Sequence, residues 1–164
     1  MKEVTVTGGQ LIRARQKAIE MGRLANSITN GAGNLAGFIG EVVVADELNA
    51  KHDNTYDYDL TLNNTTRVDV KTKRCNSKPL DTYDCSISAH GTKQKCDMYI
   101  FVRVLNDFSK AWILGKLGKE EYFDRATFFK KGMVDPDNGF RFRADCYNVK
   151  INMLESIDAT HSVS

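Results

Sequence analysis

Tyr56-Asp57-Tyr58-Asp59-Leu60-Thr61-Leu62, then Asn63-Asn64-Thr65, then Thr66-Arg67-Val68-Asp69-Val70-Lys71-Thr72-Lys73 is the stretch that decides the fold. Two β-prone runs flank a short break in which asparagine tolerates the left-handed conformation of a tight turn, so the segment predicts a β-hairpin. Strand alternation puts Asp69 and Lys71 on one face of the second strand and Val68, Val70 and Thr72 on the other. Asp59 then lies across the hairpin at a height from which its carboxylate approaches that of Asp69.

Before the hairpin, Leu11, Ala14, Ala18, Met21, Ala25 and Ile28 recur in steps of three and four and predict an amphipathic helix over about residues 9 to 29. Asn30-Gly31-Ala32-Gly33-Asn34 breaks that pattern, and Phe38, Val42, Ala45 and Leu48 predict a second helix from about 35 to 50, with Lys51 and His52 at its C-terminus. After the hairpin, residues 75 to 95 read as a long polar loop. Met98 to Leu105 is apolar on both faces, as a central strand is, and Ala111 to Gly115 predicts another strand. A helix opens at Gly118 and carries Tyr122, Phe123, Ala126 and Phe129 to a stop at Gly132; Tyr147 to Ile151 predicts a last strand, and 156–164 a polar tail. The expected fold is α/β: one domain over 1–164, with a mixed sheet of about four or five strands and helices on its faces.

The 164 residues suffice for a core without disulfides or metal staples. Met1 to Val6 has no uninterrupted apolar run and no stretch reaches membrane-spanning length, so the expectation is a cytoplasmic chain with no membrane partner. Cys75, Cys85, Cys96 and Cys146 then read as reduced thiols. Twenty-three Lys+Arg against 21 Asp+Glu give a net charge of +2, so any grip on a polyanion requires basic residues gathered on one face.

Two carboxylates close together repel unless a cation lies between them, and Mg²⁺ takes one or two carboxylates plus water and phosphate oxygens. Glu41 is a third acidic candidate, because its helical neighbours Gly37, Phe38, Val44 and Ala45 form a face meant for burial. Asp46 and Glu47 read as solvent-side residues.

Gly40-Glu41 on a helix, Tyr58-Asp59 on a strand, Asp69-Val70-Lys71 on its hairpin partner and an apolar strand at Tyr99 to Val104 resemble the core of the PD-(D/E)XK nuclease superfamily. The run Gly37-Phe38-Ile39-Gly40-Glu41-Val42-Val43-Val44-Ala45 is similar to the first-motif helix of resolvase-like and restriction-type members, above all small phage-encoded ones. Tyr58 replaces the proline that names the motif. Of Asp57 and Asp59, the resemblance implies Asp59 as the ligand, because the family's aspartate usually precedes an apolar strand residue, here Leu60.

The resemblance implies a restriction-endonuclease-like αβββαβ core over about residues 35–105, with an added N-terminal helix and a C-terminal strand and helix extension. It further implies that Asp59 and Asp69 bind Mg²⁺, with Mn²⁺ as a substitute, helped by the Val70 carbonyl. Glu41 would join them through water or a second ion, Lys71 would position the attacking water and offset phosphate charge, and Gln94 would orient Lys71 or the water as an accessory. The implied activity is endonucleolytic hydrolysis of DNA phosphodiesters. The alternatives are a junction-resolving enzyme, which would act as a homodimer, and a nucleic-acid-binding module that has lost turnover.

Arg67, Lys71, Lys73, Arg74 and Lys78 crowd the hairpin and its exit, with Lys93 and Lys95 at the far end of the same loop and Arg141 and Arg143 further on; this predicts phosphate contacts. Two rival motifs carry less. Gly31 to Ala36 fits a dinucleotide fingerprint formally, but follows a helix where that site needs a strand. Cys75, Cys85, His90 and Cys96 offer zinc-ligand chemistry without any paired Cys-x-x-Cys spacing.

Overall fold

The computed structural model describes residues 1–24, 34–53 and 55–159. The chain runs β1 (Lys2–Thr5), α1 (Gly8–Leu24), α2 (Leu35–Leu48), β2 (Lys51–His52), β3 (Leu60–Leu62), β4 (Thr66–Cys75), β5 (Asp84–Ser88), β6 (Met98–Leu105), β7 (Lys110–Gly118), α3 (Lys119–Arg125), β8 (Thr127–Phe129) and β9 (Cys146–Lys150). Short 3₁₀ turns follow β5 at Ala89–Lys93 and β9 at Ile151–Met153. The protein is a mixed α/β fold with a six-stranded sheet in the order β1-β7-β6-β4-β3-β2 and a three-stranded sheet in the order β5-β9-β8.

Local chemistry explains most element boundaries. Thr7 and Gln10 form a capping box at the start of α1: the Thr7 Oγ1 accepts from the Gln10 N–H at 3.1 Å, and the Gln10 Oε1 from the Thr7 N–H at 2.9 Å. Ala25, Ile28 and the glycine-rich turn expected after α1 lie outside the described residues. Asn49, at φ 50°, ends α2 in the left-handed conformation. Lys51 and His52, read as the end of that helix, instead form β2 and pair with Thr61 and Leu60. The β3–β4 turn takes the backbone expected of it, with Asn63 and Asn64 at φ 52° and 60°.

Strand β4 is parallel to β6 along its length, from Val68 opposite Met98 to Cys75 opposite Leu105. The crossover between them holds β5 and a 3₁₀ turn; among the described residues it holds no α-helix, so the helix expected between third and fourth strands is absent there. What read as a loop over 75–95 supplies a strand of the second sheet. The helix expected to reach Gly132 ends at Arg125, because Thr127-Phe128-Phe129 pairs with Cys146 to Asn148 instead. The sequence reading missed β1 altogether, and it expected one sheet where there are two.

The six-stranded sheet separates two cores. On one face Ala14, Ala18, Ile39, Val42, Val43, Val68, Val70, Ile100 and Val102 pack beneath α1 and α2. On the other, Tyr99, Phe101, Trp112, Leu114 and Leu117 meet Tyr122 of α3 and Cys85, Ile87 and Val149 of the second sheet. The Tyr122 hydroxyl lies 2.9 Å from the Cys85 carbonyl oxygen and 2.6 Å from that of Tyr147, tying α3 to the second sheet. Every buried residue of β6 contributes to one core or the other, as its two-faced apolar sequence predicts.

Candidate active site

The acidic residues gather where β3 begins, beside the middle of β4. Asp59 immediately precedes β3, its N–H donating to the Val68 carbonyl at 2.9 Å. Its Oδ2 accepts from the Val70 N–H at 2.7 Å, so the carboxylate caps the end of the β3–β4 ladder. The approach to it is shaped by Thr55, whose Oγ1 accepts from the Tyr58 N–H at 3.0 Å and donates to the Tyr58 carbonyl at 2.7 Å. Tyr58 therefore has its N–H satisfied locally at a position where proline would have none. Of the two candidate aspartates, Asp59 faces β4, whereas Asp57 lines a neighbouring cavity with Lys71.

Asp69 is 4% exposed on β4, on the opposite face from Val68 and Val70. The Lys71 Nζ lies 2.6 Å from its Oδ2, off the direction of a hydrogen bond, so that buried oxygen has an ion-pair partner but no donor aligned with it. Lys71 also donates to the Gln94 Oε1 at 3.1 Å, one of the two partners considered for Gln94. Glu41 on α2 is joined at 3.3 Å to Lys17 of α1, which is also 2.9 Å from the His52 Nδ1. The sequence reading did not single out Lys17; the available signal was its spacing, three after Ala14 and four before Met21, on the border of the α1 apolar stripe.

The electrostatics record how closely these groups lie. Burial, then the Glu41 and Asp69 carboxylates, push the Asp59 carboxyl up to about 8. Burial raises Glu41 as well, against the pull of Lys17. Burial together with the Lys17 and Arg13 charges lowers His52, which suits a neutral ring accepting from the Lys17 ammonium. Two cavities flank the cluster. One of about 450 Å³ is lined by Lys17, Phe38, Glu41, Tyr56 and Asp59, the other of about 480 Å³ by Tyr56, Asp57, Lys71, His90, Lys93 and Gln94. Tyr56, 96% exposed, lines both.

Among the described residues, no three His, Cys, Asp or Glu side chains form a ready-made metal cage. The donor chemistry at Asp59 and Asp69 nevertheless fits a hard divalent cation, for two reasons. A carboxyl raised by burial and by its carboxylate neighbours is relieved by positive charge, and the Asp69 Oδ2 lacks an aligned donor. Cys75, Cys85, His90 and Cys96 do not come together as a zinc group among the described residues, and burial pushes the Cys85 thiol up to about 12.

The expected basic track is divided. Arg67 is held by Asp97, with Nη2–Oδ1 2.6 Å and Nε–Oδ2 3.0 Å. Arg74 is two residues from Thr72, on the face opposite Lys71, where it stacks over Phe108 and donates to the Asn106 Oδ1. Lys71 and Lys93 share a cavity; Lys73 continues the Lys71 face; Lys78 and Lys95 are exposed. Arg141 donates to the Gly132 carbonyl, away from this row. Compared with protein-family models and with curated proteins, the sequence matches none.

Proposed function

We propose that the protein is a divalent-metal-dependent DNA endonuclease of the PD-(D/E)XK type, with α2, the β3–β4 hairpin and β6 as a restriction-endonuclease-like core. The observation that carries this reading is the meeting of Asp59, at the start of β3, with Asp69 and Lys71 on β4, and with Glu41 close enough to raise the Asp59 carboxyl. Nothing in ordinary strand chemistry calls for buried carboxylates that repel one another, whereas cation binding does. In this reading Asp59 and Asp69 hold Mg²⁺ or Mn²⁺, with the Val70 carbonyl and Glu41 as further oxygen donors. The bound ion would polarise a phosphoryl oxygen and acidify a water.

The chain's own groups have defined tasks. Lys71, anchored between Asp69 and Gln94, presents its ammonium to the cavity where a phosphate would lie and offsets charge developing in the transition state. Gln94 fixes the Lys71 rotamer and so acts as a positioning residue. Lys17 opposes the burial that raises the Glu41 carboxyl. Cleavage of supercoiled plasmid and of branched DNA with Mg²⁺ or Mn²⁺ tests the proposal. Asp69→Asn and Lys71→Met are each expected to lose at least about 100-fold in rate while retaining DNA binding in EDTA. Wild-type protein as inert as Asp69→Asn on every DNA, or an Asp69→Asn protein as active as wild type, overturns it.

A further inference from the structure

A cleft of about 880 Å³ lies beyond this cluster, between the β4–β6 face and the second sheet. Its floor carries an unusual pairing. Lys73 and Arg103 are direct register partners on parallel β4 and β6, which places two cations side by side on one face. Like charges so placed are destabilising, and among the described residues neither makes an ion pair. Lys73 donates to the Ser86 Oγ at 3.0 Å, and the Arg103 Nη2 to the Asp84 carbonyl at 2.8 Å. Asp84, Asp135, Asp137 and Lys150 line the same cleft, where the three carboxylates are engaged by partners other than Lys73 and Arg103. Lys150 is 2.9 Å from Asp84 and 3.3 Å from Asp137, and Asp135 accepts from the Asp137 N–H and the Asn138 Nδ2.

Three further features describe what would fill the cleft. Asn148, 5% exposed, lines it, and its buried Oδ1 has no hydrogen-bond partner. Tyr83 and Phe140 line it as well, yet are 45% and 52% exposed, so their rings lie open at the rim. Enclosure by the cleft, then the Arg103 charge, lower the Lys73 ammonium from its ordinary value, although its side chain still reaches solvent at the mouth. Paired cations that form no ion pair of their own ask for an anion; open aromatic rings and an unpaired amide beside them ask for a planar group with polar edges. Lys73 follows Lys71 by two residues on the same face, about 6.6 Å along the strand.

We propose that this cleft binds one nucleoside phosphate of an unpaired DNA strand, the phosphate on Lys73 and Arg103 and the base between Tyr83 and Phe140 near Asn148. The proposal deepens the nuclease reading and rests on it for the identity of the polymer. It makes the cleft the place where the strand continues from the scissile phosphate at Lys71.

The test is binding in EDTA, by fluorescence anisotropy for a labelled single-stranded 12-mer and by calorimetry for inorganic phosphate and a deoxynucleoside monophosphate. Wild type is expected to bind the oligonucleotide, and Lys73→Gln, Arg103→Gln and the rim variant Phe140→Ala each to weaken it about 10-fold or more, with Lys73→Arg restoring affinity. The mononucleotide is expected to bind more tightly than phosphate. Oligonucleotide affinity unchanged in Lys73→Gln, Arg103→Gln and Phe140→Ala overturns the subsite, as does equal affinity for phosphate and mononucleotide, which would leave an anion hole only. Cleavage by wild type together with unchanged binding in these variants sinks the subsite and leaves the nuclease reading intact. Weakened binding in the variants, with no cleavage by wild type, supports the subsite and sinks the nuclease reading.

Discussion

Asp59 is the residue on which the site's electrostatics converge. In an unfolded chain its carboxyl would titrate near 3.9, and in the folded protein it is pushed up to about 8, first by burial and then by Glu41 and Asp69. A raised carboxyl stabilises the fold most where it is protonated, so its contribution is complete below about pH 4 and is lost as pH rises to about 8. The amide of an Asp59→Asn variant would not ionise, and its oxygen could still accept from the Val70 N–H. In EDTA, Asp59→Asn is therefore expected to melt at nearly the wild-type temperature at pH 4 and above it at pH 9, by a few kcal/mol at most. Thermal melts at the two pH values check this; an equal difference at both would show that Asp59 does not carry the shift. Mg²⁺ should reverse the order, raising the wild-type melting temperature at pH 8 while leaving Asp59→Asn unmoved.

At the scale of elements, the packing of α2 on β4 sets where Glu41 can be. The two elements touch at Gly40: a Cβ there would stand 2.0 Å from the Thr72 Oγ1 and 3.1 Å from the Thr72 Cβ. Gly40→Ala is expected to cost about 1–3 kcal/mol, the range for an overfilled core contact. Thr72→Ala removes the obstructing hydroxyl, itself buried without a partner, so the double variant should recover more than half of that loss in urea titrations. Strictly additive losses would place the strain elsewhere. This contact also marks where sequence legibility stops. The spacing of Phe38, Val42 and Ala45 discloses α2, and alternation discloses β4, since each is a local pattern; that Gly40 meets Thr72 is a fact about two elements. For the same reason Thr127 to Phe129 read as helix. Its aromatic residues suit either element, and the strand that captures it begins at Cys146. The Asp59–Asp69 approach was legible because one hairpin fixes it, whereas Lys17 and Arg103 come from elements whose neighbours no local period reveals.

For the whole molecule, a net charge of +2 conceals an uneven distribution. Several cations are neutralised by carboxylates: Lys2 by Glu47, Arg13 by Asp46, Arg67 by Asp97, Arg125 by Glu121 and Lys150 by Asp84. Composition forecast that a grip on polyanions must be local, but spacing alone counted Arg67 among the gripping residues. Its bidentate pairing with Asp97 withdraws it, and Arg103, which the sequence reading passed over, takes a place beside Lys73. Salt dependence reads this distinction directly, because each phosphate neutralised adds about 0.7 to the magnitude of the log–log slope for single strands. If Lys71, Lys73, Lys93 and Arg103 are the contacts, the slope for a single-stranded 12-mer in EDTA is expected to be about −3. Lys73→Gln and Arg103→Gln should each flatten it by about 0.7, and Arg67→Gln should leave it where it was. A slope flattened equally by Arg67→Gln would mean that the Asp97 pair opens to release its cation, and that DNA follows the outer edge of the hairpin instead of the row from Lys71 to the cleft.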